Sequence, residues 1–329
     1  MIGGVAAIVA AAVLVGGGIL KTHDQSTTTT RQTQSAPKKK PAAQPVRSFL
    51  NPFPPTSVWS SASLLPANPR VDPQSDAKMA YWVQNSVVNP SMSLRRYGWA
   101  IVPASATAPM YSVKCVIYAC TGIGSVRIPK GTLPDPGSDG HLVVYDAKRA
   151  LEWDFWISHC PDSCAIAGAG NRLSTNKNVP FGAATASGIP GLAGIVHPEE
   201  IIKGHIDHPL VFAMPNVRKG YVCPARAGAG SATDPLALPE GTLMQLDPSI
   251  NVATLPLPRW QKVIARALQQ YGMYLEDGSG NLQIGSENPV NRGNLWAKAG
   301  LNGDYADFTT DFPWAKMRVL LPPSPWCGK

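Results

Sequence analysis

Proline or glycine interrupts this chain at roughly every fifth position, with 32 prolines and 30 glycines among 329 residues. Proline removes a backbone donor and glycine adds conformational freedom, so long helices are excluded over most of the length and short strands joined by turns remain. With 44% hydrophobic and only 15% charged residues, the chain can bury a sizeable core. The expectation is an all-β body over residues 48–329: a single β-sandwich, jelly-roll or concanavalin-like, with a few short helices.

Two segments precede that body. Ile2 to Leu20 is an uncharged run of Ile, Val, Leu, Ala and Gly, about long enough to cross ~30 Å of hydrocarbon. Residues 1–21 therefore read as a signal peptide or membrane anchor. Residues 22–47, rich in Thr, Gln, Ser, Pro, Ala and Lys, lack the bulky apolar side chains that would repay ordering, and read as a disordered linker. Lys21 and Lys38 to Lys40 follow the apolar run, which by the positive-inside rule argues for a cytoplasmic C-terminus. Against that stand six cysteines, Cys115, Cys120, Cys160, Cys164, Cys223 and Cys327, an even number suited to an oxidising compartment. The expectation is secretion, or attachment to the outer face of the cytoplasmic membrane.

Cys115/Cys120 and Cys160/Cys164 are spaced as local staples, leaving Cys223 for Cys327, although six cysteines allow fifteen connectivities. A metal reading of Cys160 and Cys164 would need His159 and a further ligand, so no metal or cofactor is expected. The first 50 residues hold Lys21, Arg31, Lys38, Lys39, Lys40 and Arg47 against Asp24, a net +5 of the chain's +8, which leaves about +3 for the body. Nucleic acid is not implied. The linker's charge suits an anionic membrane or wall polymer.

The clearest helical pattern runs from Pro258 to Tyr271, where Trp260, Val263, Ile264, Ala267, Leu268 and Tyr271 recur at helical spacing and Gly272 offers a C-terminal cap. Shorter helices are expected at 76–85 and around 197–203. The informative strands are HLVVYD (141–146) and LEWDFWI (151–157), joined by AKRA. A four-residue loop sets Tyr145 opposite Glu152, Val143 opposite Asp154 and His141 opposite Trp156, all on one side. Leu142, Val144, Trp153, Phe155 and Ile157 then form the face that a core buries, leaving the polar and aromatic face available.

That face has the ingredients of a saccharide groove: rings to lie against sugars and carboxylates to bind hydroxyls or move protons. Carboxylates two positions apart on a strand lie about 6–7 Å apart at the backbone, within reach of the ~5.5 Å of a retaining glycosidase pair. A solvent-facing hairpin also carries such residues for solubility alone.

Glu152-Trp153-Asp154 resembles the E-x-D-x-x-E strand of the laminarinase-like glycoside hydrolases, which are concanavalin-type sandwiches. The resemblance implies Glu152 as nucleophile and Asp154 as its helper, but Ile157 stands where that family has its acid/base glutamate. Across about two thirds of the chain, SDGHLVVYDAKRALEWDFW, ATASGIPGLAGIVHPEEIIKGHIDHPLVFAMP, LPEGTLMQLDPSI and IARALQQYGMYLED resemble a family of exported actinobacterial proteins. That resemblance implies export, one domain and a β-sandwich, and no activity.

In GHIDHPLVFAMP, His208, Leu210, Phe212 and Met214 share a strand face, while His205 and Asp207 point the other way, so the trio does not form one metal site. His208 reads first as a histidine hydrogen-bonded at a strand start. A functional alternative sets it beside His141 and Tyr145 as base and acid for β-elimination of a uronic-acid polymer, with Arg226, near Tyr221, neutralising the uronate. No GxSxG, Walker, HExxH or GxGxxG motif occurs, which removes ATP, NAD and zinc-protease readings. The expected function is binding and cleavage of an extracellular or cell-wall polysaccharide, by Glu152, Asp154, His141 and Tyr145, with Trp156, His208, Arg226 and Tyr221 binding substrate. A uronate lyase and a non-catalytic glycan-binding or scaffolding protein are the alternatives.

Overall fold

The structure, a computed structural model, describes residues 46–322 apart from 119, 159–165, 179 and 183. The apolar segment 1–21, nearly all of the linker, and Cys160, Cys164 and Cys327 lie outside the described residues. Among the described residues, no helix is long and apolar enough to cross a membrane.

The body is mostly sheet with a few short helices. Seven strands form one sheet, in the order Tyr305–Asp307, Ser91–Ser93, Gln283–Ile284, Leu210–Met214, Met273–Gly278, Leu243–Leu246 and Met317–Leu320. Six form a second, in the order Glu287–Asn288, Trp99–Pro103, Leu142–Asp146, Leu151–Trp156, Ala169–Ser174 and Cys120–Thr121. Strand directions are mixed: Leu210–Met214 runs parallel to Met273–Gly278, and Trp99–Pro103 parallel to Leu142–Asp146. The parallel pairs need crossover connections, which an all-antiparallel sandwich does not have.

One crossover ends in the helix read from the sequence. It spans Arg259–Gln270, with Pro258 at its N-cap position and Val263, Ile264, Ala267 and Leu268 buried. Gly272 ends it with φ +75°, and a methyl group there would meet the Met244 carbonyl oxygen at 2.5 Å. The helix packs behind the seven-stranded sheet, where Leu210, Phe212 and Met214 meet Ile264, Leu268 and Trp82 in one cluster. Two further expected helices lie at Ser75–Asn85 and Pro198–Lys203, near their expected positions, and a short one at Leu295–Lys298 was not expected.

A second cluster joins the two sheets. Trp99, Ile101, Val143 and Tyr145 from one meet Val211, Leu243 and Tyr274 from the other, with Ile189, Leu192 and Ile195 from the intervening loop. A third cluster covers the opposite side of the six-stranded sheet, where Leu142, Val144, Trp153 and Phe155 pack on Ile123, Val126 and Ile128.

The hairpin has the expected register, with Val143 paired to Asp154 and Tyr145 to Glu152. Over Val143, Tyr145, Glu152 and Asp154, however, its polar face is not available to solvent. That expectation is corrected by the second cluster: the seven-stranded sheet and the 188–195 loop cover this part of the face, so the middle of the hairpin is buried on both sides. Cys115 and Cys120 form the expected local disulfide. Cys223 is also disulfide-bonded.

Candidate functional site: a cleft at the corner of two sheets

Glu152 and Asp154 lie in the layer between the sheets, 0% and 1% exposed, beside Tyr145 at 2%. The Leu192 N–H donates to Glu152 Oε1 at 2.8 Å, and Asn171 Nδ2 donates to Asp154 Oδ2 at 3.1 Å. Among the described residues, Glu152 Oε2 and Asp154 Oδ1 have only each other's carboxyl and the Gly191 backbone beside them. Burial, reinforced by the neighbouring Asp154 charge, pushes the Glu152 carboxyl well above the carboxylate range, and burial raises Asp154 too. The proton thus held on Glu152 supplies the donor that the two orphaned oxygens lack. This pair pins the 188–195 loop to the hairpin and does not line the cleft described below.

The other expected site residues are dispersed. His208 sits in a cavity of about 260 Å³ with Glu199, Glu200, Lys203 and His205. Burial works against its charge, but Glu200, 3.0 Å away, outweighs burial and raises its pKa. Protonated His208 then donates from both ring nitrogens, to Glu200 and to the Pro209 carbonyl at 2.9 Å. This is the structural role at a strand start. Tyr221 and Arg226 are exposed, and neither lines the cleft. His141, Tyr145 and His208 are therefore not brought together.

His141 and Trp156 do reach an open cleft, of about 930 Å³. It forms where the chain passes from one sheet to the other: Gln283–Ile284 ends in the first and Glu287–Asn288 begins in the second. Between them Gly285 permits close approach, since a Cβ there would lie 2.7 Å from Val211 Cγ2 and 3.4 Å from Glu276 Oε1. Tyr97, Trp99, Tyr118, Trp156 and Tyr305 line the cleft together with Asp139, His141, Glu276 and Asp277.

Glu276 and Asp277 owe their position to a bulge. Phe212 pairs with Leu275 but Ala213 pairs with Asp277, so Glu276 is the extra residue on its strand. A bulge breaks the strict alternation of faces and re-aims side chains, and here two consecutive acids border one cleft. Glu276 is 8% exposed and its Oε2 has no partner among the described residues. Burial, with Asp277 adding to it, pushes its carboxyl up to about 8, so at neutral pH it holds a proton. Burial raises Asp277 to about 6, opposed by hydrogen bonds from the Ala186 and Gly278 N–H groups.

Aromatic rings frame these acids. Tyr118, 66% exposed on the loop closed by the Cys115–Cys120 disulfide, stacks on Trp156 with centroids 5.9 Å apart and planes 29° apart. His141 stacks on Trp99 at 4.2 Å. Burial lowers its pKa to about 4, against the pull of Asp139, so the ring is neutral, and its buried Nδ1 has no partner among the described residues.

The sequence reading found His141 and Trp156 but missed Asp139, Glu276, Asp277, Tyr97, Trp99 and Tyr118. The only local signal was LEDGSG, consecutive acids ahead of a glycine turn. Set beside family models, curated proteins and solved structures, the chain matches none, so its function is read from this cleft's own geometry.

Proposed function

We propose that the protein is an envelope polysaccharide-binding protein, exported or anchored outside the cytoplasmic membrane, whose two sheets form a sandwich and whose corner cleft binds a glycan chain and hydrolyses it. One observation carries this reading: a buried, protonated Glu276 carboxyl with an unpartnered oxygen borders a cleft of about 930 Å³ flanked by stacked aromatic rings. Rings exposed at a cleft edge offer apolar faces to sugar rings. In this reading Trp156 and Tyr118 hold the chain, and Glu276 gives its proton to the glycosidic oxygen. Asp277, largely ionised at neutral pH, accepts a proton from water or stabilises the positive charge that develops on the sugar. The disulfide supports an oxidising compartment.

The test is release of reducing ends and of 235 nm absorbance from neutral and acidic polysaccharides by the oxidised protein, beside Glu276→Gln. Reducing ends without absorbance, lost in the variant, are the expected result. Absorbance would move the assignment to a lyase. A non-catalytic glycan-binding role is the second reading, favoured by Asp277, whose two oxygens already accept hydrogen bonds from Ala186 and Gly278. Binding without release of any product would establish that role.

A further inference from the structure

The chain carries a net charge of +8, yet the cleft has the opposite character. Its described lining includes three carboxyls, Asp139, Glu276 and Asp277, and neither lysine nor arginine. Among the described residues, none of the three forms an ion pair. They act on one another: the Asp139 charge is felt by both Asp277 and His141, and Asp277 is felt by Glu276. Arg96 stacks near Tyr97 at 6.0 Å but does not line the cleft. A cluster of acids without a cation is costly unless protons or a bound cation neutralise it. Glu276 is the clearest case, since its Oε2 is buried and without a partner among the described residues.

Building on the glycan-binding reading above, we infer that the cleft selects polymers bearing free amino groups, namely de-N-acetylated amino-sugar chains, over N-acetylated or uronic-acid polymers. An ammonium offers three donors and one positive charge. That matches the three carboxyls that border the cleft, while Tyr97 and Trp156 add ring faces that attract a cation. A uronate chain would bring its negative charge to a lining of carboxyls, where Glu276 holds its proton and offers no positive charge, and would meet no lysine or arginine in the described lining.

The experiment is calorimetric titration of the full chain, oxidised, at pH 6, with three oligosaccharides of equal length: glucosamine, N-acetylglucosamine and galacturonate. The glucosamine oligomer should bind roughly tenfold more tightly than its N-acetylated counterpart, with the advantage shrinking as salt rises. Asp139→Asn, at a partly buried position whose side chain forms no ion pair among the described residues, should lower affinity for the glucosamine oligomer several-fold, with a smaller change for the N-acetylated one. Equal affinity for the two, or preference for galacturonate, would overturn this selectivity while leaving the glycan reading intact. No binding of any oligosaccharide would overturn both.

Discussion

Two pairs of carboxyls in this molecule look alike in sequence and differ in what surrounds them. Glu152 and Asp154 alternate on a regular strand and point into the layer between two sheets, where a backbone N–H and an asparagine satisfy one oxygen of each. Glu276 and Asp277 are consecutive, and a bulge in the parallel pairing brings both to the border of an open cleft. Burial raises the pKa of all four. A raised pKa alone therefore does not separate a structural acid from a reactive one. What separates them is that Glu276 and Asp277 border an open cleft, whereas Glu152 and Asp154 lie in the layer between the sheets.

The largest effect that would sharpen this contrast is loss of catalysis in Glu276→Gln. Removing a general acid should lower glycan hydrolysis by about 10²–10⁴-fold, measured as reducing ends, while the thermal midpoint holds or rises. Activity that persists would break the comparison. Next comes Glu152→Ala, which leaves the Leu192 N–H without its acceptor and opens a cavity between the sheets. A loss of roughly 2–4 kcal/mol in denaturant unfolding is expected. Glu152→Gln, which mimics the protonated acid, should stay within about 1 kcal/mol of wild type at neutral pH. A similar cost for both would contradict the shared-proton account.

A smaller effect is expected for Trp156→Ala. Losing a stacking ring at the cleft edge should weaken glycan binding by about 3–10-fold, read by titration, with little change in stability. The smallest concerns pH. Glu276 has a folded value of about 8 against an ordinary 4.5, so its contribution to stability is fully present below about pH 4.5 and is lost as pH rises through about 8. Glu276→Gln should flatten that decline in unfolding curves between pH 5 and 9, and an unchanged slope would mean that the carboxyl is not buried as described.

Much of the local structure was legible in the sequence. A four-residue loop over Ala147 to Ala150 gave the hairpin register down to Tyr145 opposite Glu152, and period-two alternation set Trp153 and Phe155 on the same face. Helical spacing gave Arg259–Gln270, and Gly272 marked its end. The error lay in calling one hairpin face available. Its cover comes from Leu192, Val211 and Tyr274, which lie 40 or more residues beyond Glu152, and alternation within a hairpin carries no information about a second sheet. The cleft escaped for a related reason. A bulge at Glu276 depends on the register of Leu210–Met214, a strand distant in sequence, and Asp139 and Trp99 join the site only when the sheets meet at their corner. His208 was legible as a structural histidine, though its partner Glu200 emerged only once Gly204 turned the helix end back on it.

The most direct test of the central claim is to assay Glu276→Gln and Glu152→Gln side by side on the best glycan, across pH 4 to 10, normalised to folded protein. If the corner cleft is the site, Glu152→Gln keeps wild-type turnover, whose profile falls on the acid side near about 6 and on the alkaline side near about 8, and Glu276→Gln is inactive throughout. An active Glu276→Gln beside an inactive, fully folded Glu152→Gln would contradict the account and return the chemistry to the hairpin.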